Sequence, residues 1–237
     1  MLHVFNATNG SEVYAYVPSM LIGDLDQLAG RPYAHRYYVD GKLTAGDAYY
    51  SSAWHTVLVG TLGAGGKGVF ALDITDPDLT SQSASTGTDA KVIWESTATG
   101  DDDLGDTFSR PVIAKLNDGN WYAVLGNGYN SVNGLAKLYL INLATGGVIR
   151  VSTGSGSAST PNGLSSPSLL DTDGNGTVDV AYAGDIDGNM WKFDLSSTTS
   201  SSWAEDYSRP LHPGVSTQPI LTAPEISIHP IKGSLVY

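Results

Sequence analysis

Residues 171–179 read Asp-Thr-Asp-Gly-Asn-Gly-Thr-Val-Asp and lie between two short apolar runs. Asp171, Asp173, Asn175 and Asp179 stand at positions 1, 3, 5 and 9 of this run, and Thr177 at position 7 offers its backbone carbonyl. That spacing is the grammar of a calcium loop, because Ca2+ is a hard cation that takes roughly six to eight oxygens and a short loop can present them in turn. Gly176 falls at position 6, where the chain must turn sharply and a residue without Cβ takes positive φ at little cost. An EF-hand would add a bidentate Glu at position 12; here that position is Tyr182, in an apolar run with strand character. The loop is therefore EF-hand-like without the EF-hand helices, and its remaining ligands must be water, a bidentate Asp179 or a group from elsewhere. The plainer reading is an acidic turn between two strands, since Asp, Asn and Gly favour turns unaided. Three carboxylates within nine residues repel one another unless a cation joins them, which favours the metal. Mg2+, with its strict octahedral demand, suits such a loop less well.

Other candidates for chemistry are weaker. Gly63-Ala64-Gly65-Gly66-Lys67-Gly68 resembles a phosphate cradle, but no Ser or Thr follows Lys67 and the next element reads as a strand, so a hairpin loop is expected. Asp185-Ile186-Asp187-Gly188-Asn189 starts like a second metal loop and then runs into a strand; it reads as a turn, with Asp185 a candidate extra oxygen for the first site. Asp101-Asp102-Asp103 reads as a solvated run. None of the five histidines has zinc spacing, and no nucleophile elbow is present, so no catalytic residue is assigned and the chain is not expected to be an enzyme. Trp54, Trp94, Trp121 and Trp191 fall in or beside strand-like runs and are expected in the core.

Composition narrows the class. The chain has 237 residues with 28 Gly, 11 Pro and no Cys, and 24 acidic against 12 basic side chains give a net charge of −12. Nucleic acid is a poor partner for that balance, since phosphate recognition needs clustered Lys and Arg. No disulfide or thiolate site is available. No run approaches the roughly 18 apolar residues that span a bilayer, and the first residues lack the pattern of a secretion signal.

The elements that must carry the loop repeat along the chain. His55–Gly60, Tyr122–Gly126 and Val180–Gly184 are short apolar strands ending in glycine; each is followed by a turn and a second strand, ending at Asp73, Asn142 and Asp194. Leu2–Asn6 looks like a further copy of that second strand. Outer strands are expected at Glu12–Val17, Lys91–Glu95 and Val148–Ser152, and strands that open a unit after a proline at Val112, Ser168 and Ile220. Four strands per unit, recurring about every 50 to 70 residues, predict an all-β chain and a β-propeller. Three units are largely complete and two are partial, so residues 1–237 are expected to form part of a larger ring, cut mid-blade at both ends. Leu21–Leu28 is the one short helical insertion.

GTLGAGGKGVFALDITDP, GNGYNS, LYLINLATG, NGLSSPSLLDTDGNGTVDVAYAGDIDGNMWKFDLS and QPILTAPEISIHP, in this order, closely resemble the C-terminal propeller of the PilY/PilC family of type IV pilus assembly and tip-adhesin proteins. The resemblance runs from Leu2 to Tyr237. It implies a modified seven-bladed propeller with a single Ca2+ loop that governs pilus extension and retraction, the ion-bound state opposing retraction. It also implies an exported protein at the cell surface, pilus tip or outer membrane. Its partners would be the pilus machinery or minor pilins and, in adhesion and twitching motility, a host or abiotic surface. The family's ligands fall on Asp171, Asp173, Asn175, the Thr177 carbonyl and Asp179.

Two rivals share these features. An integrin-like adhesion propeller should repeat the acidic loop, but the corresponding turn at Asn117-Asp118-Gly119-Asn120 is short and poor in acids. A quinoprotein-dehydrogenase-like propeller needs an axial cofactor site, for which no residues are identified.

Overall fold

Among the described residues, short apolar runs ended by glycine or asparagine turns give sixteen strands: β1 (Leu2–Phe5), β2 (Glu12–Tyr16), β3 (Leu43–Tyr50), β4 (Ala53–Thr61), β5 (Gly68–Asp73), β6 (Val92–Thr97), β7 (Val112–Lys115), β8 (Trp121–Gly126), β9 (Leu135–Asn142), β10 (Val148–Gly156), β11 (Ser168–Leu170), β12 (Val180–Gly184), β13 (Met190–Asp194), β14 (Ala204–Glu205), β15 (Ile226–Ile228) and β16 (Ser234–Val236). The structure, a computed structural model, describes residues 1–32, 34–76, 92–229, 231 and 233–237. Lys91, expected in β6, lies outside them. The strands form three four-stranded sheets, β3 to β6, β7 to β10 and β11 to β14, flanked by the pairs β1-β2 and β15-β16. Within every sheet each strand pairs antiparallel with the next in sequence, which is the meander of a propeller blade.

The middle strands are apolar on both sides because blades stack face to face. Along β8, Val124 packs into one interface with Leu138, Ala181 and Phe193, while Ala123 and Leu125 point the other way, towards Val57, Val69 and Ile141. The two-residue side-chain period of a strand thus feeds two interfaces at once. The outer face of the first complete blade meets β1-β2 and a 3-10 helix at Ser19–Leu28 through Phe70, Leu72 and Leu21. Tyr182 and Met190 of the third blade meet Ile226 and Val236. The first strands of successive blades adjoin: Thr44 of β3 donates its hydroxyl to the Pro111 carbonyl just ahead of β7 over 2.7 Å, and Ser168 of β11 donates to the Pro224 carbonyl over 2.5 Å.

Four expectations are corrected. Pro219-Ile220-Leu221 is not a strand; the Ile220 amide is taken by the Asp185 carbonyl at 3.0 Å, and the unit opens with β15, after Pro224. The strand β3 was not foreseen, because Gly46 and Asp47 interrupt its apolar pattern; Gly46 sits against Ile113 of the next blade. Trp94 and Trp191 are core residues, but Trp54 is 62% exposed and stacks edge-on against Trp121 at 5.9 Å near the β3-β4 turn. Asp101 and Asp103 are not merely solvated: Asp101 accepts from Tyr139 and Arg150, and Asp103 pairs with Lys137 at 2.6 Å, leaving Asp102 as the exposed one of the three. The Gly63–Gly68 segment is a connection between β4 and β5 with one 3-10 turn, and Lys67 reaches the Asn130 carbonyl of the neighbouring blade.

Candidate metal centre

Two residues, Ser51 and Ser52, join the first two strands of the first complete blade, and five, Leu116–Asn120, join those of the second. The third blade uses the nine residues 171–179 at the same place, between β11 and β12. The insertion is closed at its base by the Leu170–Val180 strand pair and by the Asp179 amide donating to the Leu170 carbonyl at 3.0 Å. Leu195 in turn donates its amide to the Asp179 carbonyl at 2.8 Å. A short parallel bridge between Leu116 and Val178 ties the end of the insertion to the preceding blade, where the Val178 amide meets the Lys115 carbonyl at 3.0 Å.

On this frame the loop curls around its own carboxylates. Asp171 receives the Gly174 amide on Oδ1 at 2.7 Å and the Gly176 amide on Oδ2 at 2.8 Å. Asp173 receives the amide of Asn175 at 3.1 Å and its side-chain nitrogen at 3.0 Å. Asp179, the buried member, receives the amide and the hydroxyl of Thr172 on Oδ2, at 2.8 and 2.5 Å. Ligand oxygens of Asp171, Asp173 and Asp179 all lie within 4.8 Å of one another. Three of the five expected ligands therefore converge. Asn175 is placed beside them, its Oδ1 accepting from the Thr177 amide at 2.7 Å and from the Thr177 hydroxyl.

The electrostatics suit a cation. Among the described residues none of the three carboxylates is in an ion pair, so their mutual repulsion is met only by hydrogen bonds. The Gly176 amide first, with help from Gly174, holds the Asp171 carboxyl below its usual value. Burial pushes the Asp179 carboxyl up, but the Thr172 hydroxyl and amide and the Asn117 side chain outweigh it and the net direction is down. Both groups are thus ionised at neutral pH, the state a metal needs. Every ligand atom gathered here is oxygen, and each carboxylate oxygen except Asp179 Oδ2, which takes both Thr172 bonds, keeps a lone pair beyond its single hydrogen bond. The set fits a hard cation such as Ca2+ and offers no nitrogen or sulfur for a softer one.

Asp185 does not join the site. It is fully buried one turn further on, where its carboxylate accepts from Asn162, Asn189 and Trp191. A residue outside the expected set does join it: Asn117, from the short turn of the preceding blade, donates to Asp179 Oδ1 at 3.0 Å. Its signal in the sequence was the equivalence of the two turns, hidden because the Asn117 turn is short and carries a single acid, Asp118.

Residues 1–221 match the family model described as the PilY1 beta-propeller domain. The chain belongs to that family. A type IV pilus biogenesis factor PilY1 homolog of Xylella fastidiosa is 42% identical over the whole chain, and the type IV pilus biogenesis factor PilY1 of Pseudomonas aeruginosa is 46% identical over 82% of it. The chain spans only 17% and 16% of the length of those two relatives. The crystal structure of the P. aeruginosa PilY1 C-terminal domain superposes with a TM-score of 0.82 at 37% identity, over 99% of this chain and 49% of that one. The PilY1 propeller fold and membership of a pilus biogenesis family follow, as the sequence motifs implied.

Proposed function

We propose that residues 171–179 bind one Ca2+ and that this PilY1-type propeller acts as a calcium-responsive, non-enzymatic part of a type IV pilus assembly and tip protein. The observation that carries the metal is the convergence of Asp171, Asp173 and Asp179 within 4.8 Å with no cationic side chain paired to them among the described residues. Asp171, Asp173, Asn175 and Asp179 would supply side-chain oxygens and Thr177 its carbonyl. The bound ion supplies the positive charge that lets these groups stay together, and lowers the conformational entropy of a loop that lies at one end of the blades. One surface, carrying the β3-β4, β7-β8 and β11-β12 turns, would thereby be set for contact with pilus machinery or minor pilins. Regulation of extension against retraction, and adhesion at the cell surface or pilus tip, is the role this reading assigns. Support for it comes from the family and from the names of the relatives.

Calorimetric titration of the chelator-treated protein tests it, with Mg2+ alongside. One Ca2+ binding in about the micromolar range of sensor sites, and weakening at least about tenfold in Asp173→Asn, is expected. Asp173 is exposed, so that variant leaves the fold alone. Pilus number and retraction in strains carrying it then test the regulatory role. A folded protein that takes up no Ca2+ would reduce the segment to an acidic turn.

A further inference from the structure

Asn117 is bonded through both ends of its side-chain amide to the one stretch of the loop that enters the core. Its Nδ2 stands 3.0 Å from the Val178 carbonyl, 3.0 Å from Asp179 Oδ1 and 3.1 Å from the Leu195 carbonyl. Its Oδ1 accepts the Thr177 hydroxyl at 2.8 Å. The two carbonyls can only accept, which fixes the nitrogen end of the amide without ambiguity. All four partners belong to the third blade, whereas Asn117 follows the buried Leu116 in the second.

From this geometry we infer that Asn117 is a positioning residue for the metal loop, holding Thr177 and the Val178 backbone beside Asp179 from the neighbouring blade and coupling ion binding to the contact between the two blades. The inference deepens the Ca2+ reading above and rests on it. The hydrogen-bond count gives it direction. Asn117 Nδ2 carries two hydrogens for three acceptors, so a cation that draws Asp179 Oδ1 away leaves two hydrogens for two carbonyls. The Thr177 hydroxyl carries one hydrogen between two acceptors, Asn117 Oδ1 and Asn175 Oδ1. A cation that takes Asn175 Oδ1 leaves that hydrogen to Asn117. Two of the five ligands, Asp179 and Asn175, thus share donors with this network, and Asn117 keeps a full set of partners whether or not an ion draws them away. It serves as a fixed post against which the loop closes, and groups that orient metal ligands from behind commonly govern affinity about 10- to 100-fold.

The test is Ca2+ titration of the wild type, Asn117→Ala and Thr177→Val, joined to hydrogen exchange with and without Ca2+. Thr177→Val is nearly isosteric, removes only the hydroxyl and keeps the carbonyl ligand, so it reports even if Asn117→Ala folds poorly. The expected results are a loss of affinity of at least about tenfold in Asn117→Ala and a severalfold loss in Thr177→Val. In the wild type Ca2+ should slow exchange at the Leu116 and Gly119 amides of the second blade as well as in the loop. In Asn117→Ala at saturating Ca2+ only the loop should be slowed. Affinities within twofold of wild type for both variants, or wild-type Ca2+ protection confined to the loop, overturn the coupling and leave the Ca2+ site standing. A wild type that binds no Ca2+ overturns the site and this inference together.

Discussion

Trp191 donates its indole N–H to Asp185 over 2.7 Å, and the carboxylate that receives it is fully buried. Asn162 and Asn189 donate side-chain N–H groups to the same oxygen at 2.8 and 3.0 Å, and the Asn189 amide reaches the other oxygen at 2.8 Å. Four donors around one buried anion replace the water it gave up. Asn162 lies in the connection between the second and third blades, so the carboxylate pins that connection to the turn of the third.

Asp185→Ala should therefore be among the most damaging single changes in the chain. It leaves buried donors on Asn162, Asn189 and Trp191 without an acceptor, a loss of about 3 to 5 kcal/mol. Urea unfolding followed by tryptophan fluorescence reads it directly. A loss below about 1 kcal/mol would mean that water or a rearranged side chain fills the place of the carboxylate.

Much of this was legible beforehand, for reasons visible in particular residues. The strands of the second and third blades could be placed because Tyr122–Gly126 and Val180–Gly184 are buried on both faces and so are unbroken apolar runs. The acidic loop could be recognised because Asp171, Asp173, Asn175, Thr177 and Asp179 fall at alternate positions of one nine-residue run. Strand β3 escaped because Gly46 and Asp47 disguise it, and Ile220 misled because a proline before an apolar pair looks the same whether its amide joins a ladder or, as here, meets the Asp185 carbonyl. Asn117 could not be found from its neighbours at all: its partners lie about sixty to eighty residues away, and only the stacking of blades brings them together.

Acid should act on the loop only below the ordinary carboxylate range. The Asp171 and Asp179 carboxyls are both held below their usual value, by the Gly176 amide for the first and, against burial, by Thr172 and Asn117 for the second. A carboxyl lowered on folding adds stability above its unfolded value of about 4, and that stability is lost as pH falls through the folded value. Hydrogen exchange protection of residues 172–177, corrected for the intrinsic rate, should stay level from about pH 8 to 5 and decline below about 4. Ca2+ affinity at fixed ionic strength should likewise change less than about twofold between pH 7 and 5, because protons do not yet compete for these ligands. A tenfold loss over that interval would show that one carboxyl of the site titrates above its usual value, contrary to its hydrogen bonding.

Two glycines separate the needs of the loop from those of the propeller. At Gly176 φ is +86° and an added Cβ would meet nothing within 4 Å, so only the backbone conformation resists a side chain. Gly176→Ala should cost about 1 to 2 kcal/mol, confined to the loop, and should weaken Ca2+ because the turn that aims the Gly176 amide at Asp171 is strained. At Gly126 the backbone is ordinary, but a Cβ would lie 2.1 Å from the Ser165 carbonyl oxygen and 2.3 Å from that of Leu164, main-chain atoms of the chain leading to the third blade. These atoms have no rotamer by which to move aside. Gly126→Ala must push two blades apart and should cost about 3 kcal/mol, the upper part of the range for overpacking. Thermal unfolding with and without Ca2+ distinguishes the two: the Gly126 variant should lose stability equally in both conditions, the Gly176 variant chiefly in the presence of the ion. Equal behaviour of the two variants would refute the assignment of Gly176 to the ion loop and of Gly126 to the blade contact.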